Sequence, residues 1–257
     1  MVLTISLVIY KPERRVVVDG IERVISKHEQ WYVQDSSKDF HCMSGIIKKE
    51  QLKPGKVVIG NNEFYIIASS FLDQYKTIKR DAQIITRKDL GFMIGFCGLN
   101  KNSIVLESGA GSGAATILLA NICKKVYSYE IDKKNIAVVQ ENLAKLQVTN
   151  VVLEHKNMYD EKQVKIKNVD FVLLDLPEPW NALVSAKKAL KIGGYVVAYT
   201  PSITQAAKFV NTLPDTFIYE RTVEIIDRDW KIKGDAVRPM TADIGHTAFL
   251  TIVRRIV

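Results

Sequence analysis

The sequence predicts a doubly wound α/β domain with a mostly parallel sheet, preceded by a small all-β domain. From about residue 88 onward, strand-like apolar runs alternate with segments of helical periodicity, as in a parallel sheet covered on both faces. Before residue 70, short β-branched and aromatic runs are instead separated by turn signals. We therefore expect domains at residues 1–70 and 71–257, with residues 71–88 as the segment that links them.

Composition indicates a globular protein and leaves its partner open. The chain has 257 residues, of which 47% are hydrophobic, and its formal net charge is +8. A basic balance suits a polyanion such as nucleic acid, but solubility alone explains it equally well. Residues 1–80 carry 13 Lys/Arg against 9 Asp/Glu, and residues 81–257 carry 23 against 19. Any binding surface must therefore be assembled by folding or by oligomerisation.

Cysteine and histidine usage predicts no disulfide and no metal site. The three cysteines lie among apolar neighbours, and the four histidines have no paired spacing. This usage suits a cytoplasmic protein. The first residues lack a basic segment and a cleavage site, and no apolar run approaches the roughly 20 residues of a membrane span. We expect neither a signal peptide nor a membrane segment.

In the N-terminal region, four runs are typical of strands in a barrel or sandwich: "VLTISLVIY", "RRVVV", "VVIG" and "FYIIAS". The stretch "SSFLDQYKTIKRDAQ" then links the domains as a helix or an extended arm. In the second domain the predicted strands are "SIVLES", "KVYSYEI", "NVVLEHK", "VDFVLLDL" and "GYVVAYT". The predicted helices are "KDLGFMIGFCGL", "GAATILLANIC", "DKKNIAVVQENLAKL" with Asp132 as N-cap, "EPWNALVSAKKAL" ended by "KIGG", and "SITQAAKFVNTL".

The C-terminal region breaks this alternation. Two strand-like runs, "FIYERTVEIIDRDW" and "HTAFLTIVRRIV", are joined by about 16 residues without periodicity and without a helix pattern. Consecutive strands with no helix between them predict an antiparallel pair at one edge of the sheet.

A glycine loop follows the first strand of the second domain. Gly109, Gly111 and Gly113 alternate with Ala110 and Ser112 before a helix begins. Such a loop lets a ligand lie against exposed amides at a helix N-terminus, although a plain strand-to-helix turn would also use these glycines. The spacing is GxGxG, which differs from the GxGxxG of dinucleotide sites.

Two acids flank this loop and favour one ligand over another. Glu130 closes the next strand, where a carboxylate can accept both hydroxyls of a ribose. Glu107 precedes the loop, and it suits the ammonium and sulfonium charges of S-adenosylmethionine better than a pyrophosphate. The residues therefore favour a methyl donor, with a nicotinamide cofactor as the alternative.

The stretch "VLLDLPEPW" ends a buried strand in a carboxylate and a rigid turn. In a doubly wound sheet, ligands bind beyond the carboxyl ends of the strands. Asp175, with Pro177 and Trp180, is therefore expected beside the transferred methyl group. The alternative is that Asp175 only caps the helix that starts near Pro179.

Several motifs together resemble one family, the tRNA N1-adenine methyltransferases that modify T-loop position 58. They are "RDAQIITRKDLGFMIG", "VLESGAGSGA", "YSYEI", "VDFVLLDLPEPW", "LKIGGYVVAYTPSITQ" and "GHTAFLTIVRR", and they cover most of the chain. The segment "DFHCMSGII" is more similar to the archaeal branch, whose members also modify position 57.

The resemblance implies a Rossmann-like S-adenosylmethionine-dependent methyltransferase domain behind a small N-terminal β-domain, assembled as a homotetramer that acts on tRNA. It implies that Asp175 is the catalytic carboxylate, that the three glycines and Glu130 hold the donor, and that Gln83 lies near it. His246 and Thr247 match the closing motif, on the substrate side or at a subunit contact.

Two positions depart from the family pattern. Asn157, followed by Met158, stands where relatives often have an aspartate, and its amide oxygen can still bond the donor adenine. Thr86 stands where relatives often have tyrosine or histidine, which bears on how the target base is held. Three rival functions remain open: a non-catalytic tRNA-binding subunit, a methyltransferase acting on a small molecule or a protein, and a nicotinamide dehydrogenase.

Overall fold

The computed structural model describes residues 6–233, 236–241 and 245–257, so the predicted strand residues 1–5 lie outside it. The chain forms two compact units, Met1–Ile78 and Lys79–Val257. Among the described residues, no helix is long and apolar enough to cross a membrane.

The first unit is built on an antiparallel sheet of four strands in the order β4-β1-β8-β7. Alternation along β8 shows why it forms, because Phe64 and Ile66 are buried while Tyr65 and Ile67 are exposed. Two hairpins, β2–β3 and β5–β6, and a short helix α1 complete the unit. The elements are β1 (Leu7–Lys11), β2 (Arg14–Val18), β3 (Ile21–Ser26), β4 (Glu29–Val33), β5 (Phe40–Cys42), β6 (Gly45–Ile47), β7 (Gly55–Ile59), β8 (Asn62–Ala68) and α1 (Phe71–Tyr75).

Four of these strands, β3 to β6, were not predicted. The β2–β3 hairpin turns at Asp19 and Gly20, which have φ of 52° and 75°, as a two-residue turn requires. The residues of β3 are exposed or half-buried along its whole length, so the strand lacks the alternation by which strands are recognised in a sequence.

The second unit is a seven-stranded sheet in the order β11-β10-β9-β12-β13-β17-β14. The first five strands are parallel, and β17 is antiparallel to both β13 and β14. The prediction of a doubly wound domain closed by an antiparallel pair is confirmed. The strands are β9 (Ile104–Ser108), β10 (Lys125–Glu130), β11 (Val151–His155), β12 (Val169–Leu174), β13 (Leu190–Thr200), β14 (Phe217–Glu224) and β17 (Phe249–Arg255).

Helices connect these strands, and most lie where the sequence predicts them. Asp132 caps α4, because its Oδ1 accepts a hydrogen bond of 2.8 Å from the Lys134 amide. The helices are α2 (Arg87–Phe96), α3 (Ala114–Ile122), α4 (Lys133–Lys145), α5 (Leu183–Ala189) and α6 (Ile203–Asn211).

Two predictions need correction. The helix predicted through Leu190 starts as a 3-10 turn at Pro179–Ala182 and ends at Ala189, because "KIGG" already belongs to β13. Gly194 lies so close to β12 that a Cβ there would be 2.9 Å from the Asp170 carbonyl oxygen. The segment expected to lack periodic structure between β14 and β17 contains a hairpin, β15 (Trp230–Lys233) and β16 (Ala236–Pro239).

Candidate active site

The glycine loop between β9 and α3 has the geometry that glycine permits. Gly109, Gly111 and Gly113 have φ of 91°, 54° and 77°, in the left-handed region. A Cβ on Gly109 would lie 2.0 Å from the Asp175 carbonyl oxygen, and one on Gly113 would lie 3.0 Å from Val139. Gly109 therefore lets the loop pass against the end of β12, which brings the two predicted motifs together.

Glu130 lies at the end of β10 and faces this loop. Its Oε2 accepts the Gly111 amide at 2.9 Å, and its Oε1 accepts the amides of Ile131 and Asp132 at 2.8 and 2.9 Å. A carboxylate has about four acceptor sites, so three backbone bonds fix its position and leave capacity for a ligand hydroxyl.

Ser112 binds the chain that precedes α2. Its buried Oγ accepts the amides of Asp81 and Ala82 at 3.1 and 3.0 Å, so its side chain holds the protein and does not face a ligand. Asn142 on α4 bonds the Ser112 carbonyl and both backbone polar groups of Lys79 at 2.8 to 2.9 Å. These bonds place the exposed Gln83 beside the glycine loop, next to Ala82.

Glu107 is fully buried beneath the loop. Its Oε2 accepts hydrogen bonds from the hydroxyls of Thr116 on α3 and Ser128 on β10. Glu107 therefore joins β9 to both α3 and β10. Burial is the main reason that the pKa of Glu107 is raised to about 7, and repulsion from Asp175 and Glu130 adds to it. Contact between Glu107 and a donor ammonium stays a prediction.

Asp175 directly follows β12, and its amide donates to the Ser108 carbonyl at 3.0 Å. Burial first, and repulsion from Glu130 second, raise the pKa of Asp175 to about 7. Within the described residues, its carboxylate has no hydrogen-bonded partner and caps no helix, because the 3-10 turn has Glu178 at its N-cap position. The capping alternative is therefore wrong, and the carboxylate is left for a ligand.

The proline turn after Asp175 is held from two sides. Gln205 on α6 donates to the Pro177 carbonyl at 3.0 Å, and the Glu178 amide donates to the Tyr159 hydroxyl at 3.1 Å. The Lys208 ammonium lies 3.9 Å from the Trp180 ring centroid, and Trp180 packs against the core of the unit. Trp180 therefore supports the turn.

A cavity of about 270 Å³ opens between these elements. Its lining includes Gly109, Glu130, Asn157, Met158 and Pro177. Asn157 Oδ1 accepts the Tyr159 amide at 2.9 Å, which leaves one lone pair of that oxygen for a ligand. Met158 is buried in the core and forms the floor.

A buried charge network lies at the N-terminus of α2. Asp89 is fully buried, and its Oδ2 accepts hydrogen bonds from Thr86, Tyr199 and Thr247 at 2.8, 3.0 and 2.8 Å. Lys88 pairs with its Oδ1 at 2.9 Å and also donates to Thr247 and to the carbonyl of residue 225. Thr86 thus binds Asp89, and the network joins α2 to the site ends of β13, β14 and β17.

His246 bonds two neighbours at the same edge of the sheet. Its Nδ1 contacts Glu224, and its Nε2 lies 2.9 Å from the Pro201 carbonyl oxygen. The hydrogen bond to Glu224 is the main reason that the pKa of His246 is raised. Among the residues that the structure describes, no three His, Cys, Asp or Glu side chains are grouped to hold a metal.

The residues that line the cavity and those around it fit S-adenosylmethionine. Glu107, Glu130 and Asp175 repel one another, which helps to raise the pKa of Glu107 and Asp175, so a cationic ligand would relieve the repulsion. The left-handed glycines lack side chains and so let a ligand approach the backbone of the loop before α3, and Glu130 has room for a ribose hydroxyl.

Comparison with known proteins decides the family. Residues 74–245 match the model described as "tRNA methyltransferase complex GCD14 subunit". The chain belongs to this family. A Methanocaldococcus jannaschii relative, "tRNA (adenine(57)-N(1)/adenine(58)-N(1))-methyltransferase TrmI", is 30% identical over 90% of this chain and 93% of its own. The Thermus thermophilus "tRNA (adenine(58)-N(1))-methyltransferase TrmI" is 35% identical, over 84% of this chain and 88% of its own.

Solved structures show the fold. A Thermotoga maritima protein titled "SAM-dependent O-methyltransferase" has a TM-score of 0.78 and 24% identity, covering 100% of this chain and 95% of that one. "tRNA (m1A58) methyltransferase TrmI from Aquifex aeolicus" has a TM-score of 0.75 and 23% identity, covering 98% and 97%. The fold is therefore the Rossmann-like S-adenosylmethionine-dependent methyltransferase fold with an N-terminal β region. As a member of this tRNA methyltransferase family, the protein is an enzyme whose methyl donor is S-adenosylmethionine.

Membership of the family removes the dehydrogenase alternative.

Two buried polar residues near the site were not identified from the sequence. Asn142 and Asp89 have fully buried polar side chains, yet each lies in a helical pattern that reads as an ordinary amphipathic face. The partners of Asn142 are 30 or more residues away in the sequence. Asp89 bonds the nearby Thr86 and Lys88, but its other two partners, Tyr199 and Thr247, are more than 100 residues away, so the network as a whole has no local pattern.

Proposed function

We propose that the protein methylates N1 of the adenine at position 58 in the T-loop of tRNA. The observation that carries the proposal is the Asp175 carboxylate, unpaired within the described chain and lying against the glycine loop at the end of β12. The names of the Methanocaldococcus and Thermus relatives support the same target. Because the first name also includes position 57, that adenine is the second candidate.

The donor would lie against the backbone of Gly109, Gly111 and Gly113, which have no side chains to block it, with Glu130 at its ribose. Gln83, Asn157 and Met158 complete the proposed donor site, and Ala110 and Ser112 contribute through the backbone of the loop. When bound, S-adenosylmethionine supplies an electrophilic methyl group on a sulfonium.

Asp175 would act on the acceptor. Adenine N1 has a free lone pair near neutral pH, so transfer needs in-line positioning of N1 and no prior deprotonation. The Asp175 carboxylate would accept a hydrogen bond from the N6 amino group, which fixes the base and stabilises the positive charge that N1-methylation leaves on the ring. Gln205 and Tyr159 serve this step by holding the turn, which limits the movement of the carboxylate.

The target edge is hidden in folded tRNA, so the base must leave its stack to reach Asp175. We assign the opposite wall of the acceptor pocket to the network around Asp89, with Thr86, Tyr199 and Thr247, and to His246 beside it. Pro177 would face the base from the turn. We further propose a homotetramer in the cytoplasm, in which the N-terminal unit adds contacts to the phosphate backbone.

The test is incubation of the protein with unmodified tRNA and labelled donor, followed by mapping of the methylated nucleotide. We expect label on N1 of adenine 58, with position 57 read in the same digest, and none on a transcript that carries guanine at position 58. Asp175→Ala should lose transfer by at least 100-fold while retaining donor binding. Asp170→Asn is the matched control, because Asp170 lies on β12 at its other end. Label on protein or on another nucleotide would contradict the proposal.

The alternative of a non-catalytic tRNA-binding subunit has a separate test. Such a subunit has no use for a donor site, whereas this chain keeps three left-handed glycines and a ribose-binding acid. Calorimetric titration of the protein alone with S-adenosylmethionine should therefore show one site per chain. No binding would favour the subunit.

A further inference from the structure

The second unit separates charge between the two edges of its sheet. The carboxyl ends of the parallel strands form the donor edge, where the strand ends and turns carry Glu130, Asp132, Asp175 and Glu178. The lysines there, Lys133, Lys134 and Lys156, are accompanied by these acids, and Lys156 is paired with Glu154. At the ends of the parallel strands, the donor edge is therefore slightly acidic and attracts a cationic donor, while Lys88 at the N-terminus of α2 is paired with Asp89.

At the opposite edge, where the parallel strands begin, the balance is reversed. The parallel strands start side by side: Lys125 of β10 is aligned with Ile104 of β9, and Val169 of β12 with Leu190 of β13. The antiparallel β17 reaches the same edge at its other end, near Arg254. We call this edge of the sheet the basic edge. Its cations are Lys101, Lys124, Lys125, Lys167, Lys191 and Arg254.

The basic edge has little acidic compensation. Asp170 lies there, but it is already bonded to Lys191 and to the Ile104 amide. Asp215 lies farther along, in the connection that enters β14 at the end of the sheet. Lys101, Lys124 and Lys167 are exposed, and within the described residues none of the three has an ion pair or a hydrogen-bonded side chain.

We propose that the basic edge binds phosphates of the tRNA outside its T-arm. This inference rests on the proposed function. The strands β9, β10 and β12 have five or six residues and are about 17 to 20 Å long at roughly 3.3 Å per residue, so phosphates bound at the basic edge lie about that far or farther from the reacting base. The row follows neighbouring strand starts, spaced roughly 4.8 Å apart, so its cations lie along one line that a phosphate backbone can follow. The edge thus supplies the attraction for a polyanion that the acidic donor edge lacks.

Counterion release gives the expected size of the effect. Each phosphate contact contributes about 0.7 to 0.9 to the slope of log K against log salt. At 0.15 M salt, relative to 1 M, one contact is then worth about four- to fivefold in affinity. Loss of Lys101, Lys124 and Lys167 together should weaken tRNA binding by up to about 100-fold and reduce the slope by about 2.

The experiment compares the full-length protein with a triple variant, Lys101→Ser, Lys124→Ser and Lys167→Ser, and with the three Lys→Arg changes as the charge-retaining control. Binding is measured by fluorescence anisotropy over a salt series, with whole tRNA and with a short T-arm hairpin. With whole tRNA, we expect weaker binding and a smaller slope of log K against log salt for the Ser variant and not for the Arg variant. With the hairpin, we expect no change in affinity for either variant, and the affinity for the donor should also be unchanged.

Three outcomes would overturn the proposal. Wild-type tRNA affinity and slope in the Ser variant would show that the edge does not contact RNA. An equal loss with the hairpin would place the contacts at the T-arm. A change of oligomeric mass in light scattering, with the intrinsic affinity unaltered, would make the edge a contact between copies of the chain. If wild-type protein methylates no tRNA, the proposed function itself fails, which is a separate result.

Discussion

Gly109→Ala is expected to displace the Asp175 carboxylate without removing any side chain of the site. The new Cβ would lie 2.0 Å from the Asp175 carbonyl oxygen, whereas Cβ atoms essentially never come within 3.0 Å of another heavy atom. The loop and the end of β12 must therefore separate by at least 1 Å. A misplacement of about 1 Å typically costs about 100-fold in rate, which corresponds to about 2.7 kcal/mol of transition-state free energy.

The assay is single-turnover methyl transfer to tRNA at saturating donor, together with donor affinity and thermal unfolding. Gly98→Ala is the matched control, because Gly98 has a φ of 65° but open space around its Cβ. It keeps the left-handed strain of about 1–2 kcal/mol and lacks the collision, so its transfer rate should be that of the wild type. A folded Gly109→Ala protein with a rate within twofold of wild type would refute the link between this glycine and Asp175.

Three other predictions concern the acids of the second unit. Since Asp175 must be ionised to accept the N6 hydrogen bond and its pKa in the free protein is about 7, kcat/KM should rise through pH 7, and Asp175→Asn should remove that limb. Asp89→Asn leaves the Lys88 charge without its buried partner, so we expect a loss of about 3–5 kcal/mol in the free energy of unfolding and slower methyl transfer. The control is Glu141→Gln, which breaks an exposed ion pair with Lys79 and should lower the free energy of unfolding by less than about 1 kcal/mol. The pKa of Glu107 lies above its usual value, so the folded protein binds the proton more tightly than the unfolded chain does. The contribution of Glu107 to the free energy of unfolding should therefore fall by roughly 3 kcal/mol as pH rises from 4.5 to above 7 in the absence of donor. Urea titrations of Glu107→Gln should show a fall smaller by that amount and should keep the fall that Asp175 contributes.

Local chemistry explains which parts could be predicted from the sequence. The Asp132 cap and the glycine loop depend on groups a few residues apart, so their residue types are sufficient to identify them. The position of Asp175 followed from one topological rule about the carboxyl ends of parallel strands. The Asp132 cap, the glycine loop and the place of Asp175 at a strand end could be predicted because none of them needs a long-range contact to be known.

What was missed depends on partners that are distant in sequence. Tyr199 is 110 residues from Asp89 in the sequence, and Thr247 is 158 residues from it. The network that Thr86 joins through Asp89 could therefore be recognised only in the structure. The glycines of "KIGG" were read as a helix end, although Gly194 serves the close approach of β13 to β12. The charge separation between the sheet edges likewise arises from residues scattered over the sequence, since neither half of the chain holds a dense basic run.

The position of β17 between β13 and β14 has a consequence for how the protein folds. Strand β14 precedes β17 in the sequence, and residues 225–248 separate the two. Yet among the strands that the structure describes, β14 is bonded to β17 alone. During synthesis, β13 therefore presents an open edge before its native partner exists, and β14, connected to it by α6, can pair there in parallel as an ordinary right-handed crossover. Such a pairing must be undone before β17 can enter. Refolding should thus show a slow phase that is absent from unfolding, and because Thr247 lies just before β17, the acceptor pocket should be the last region to protect its amides from hydrogen exchange.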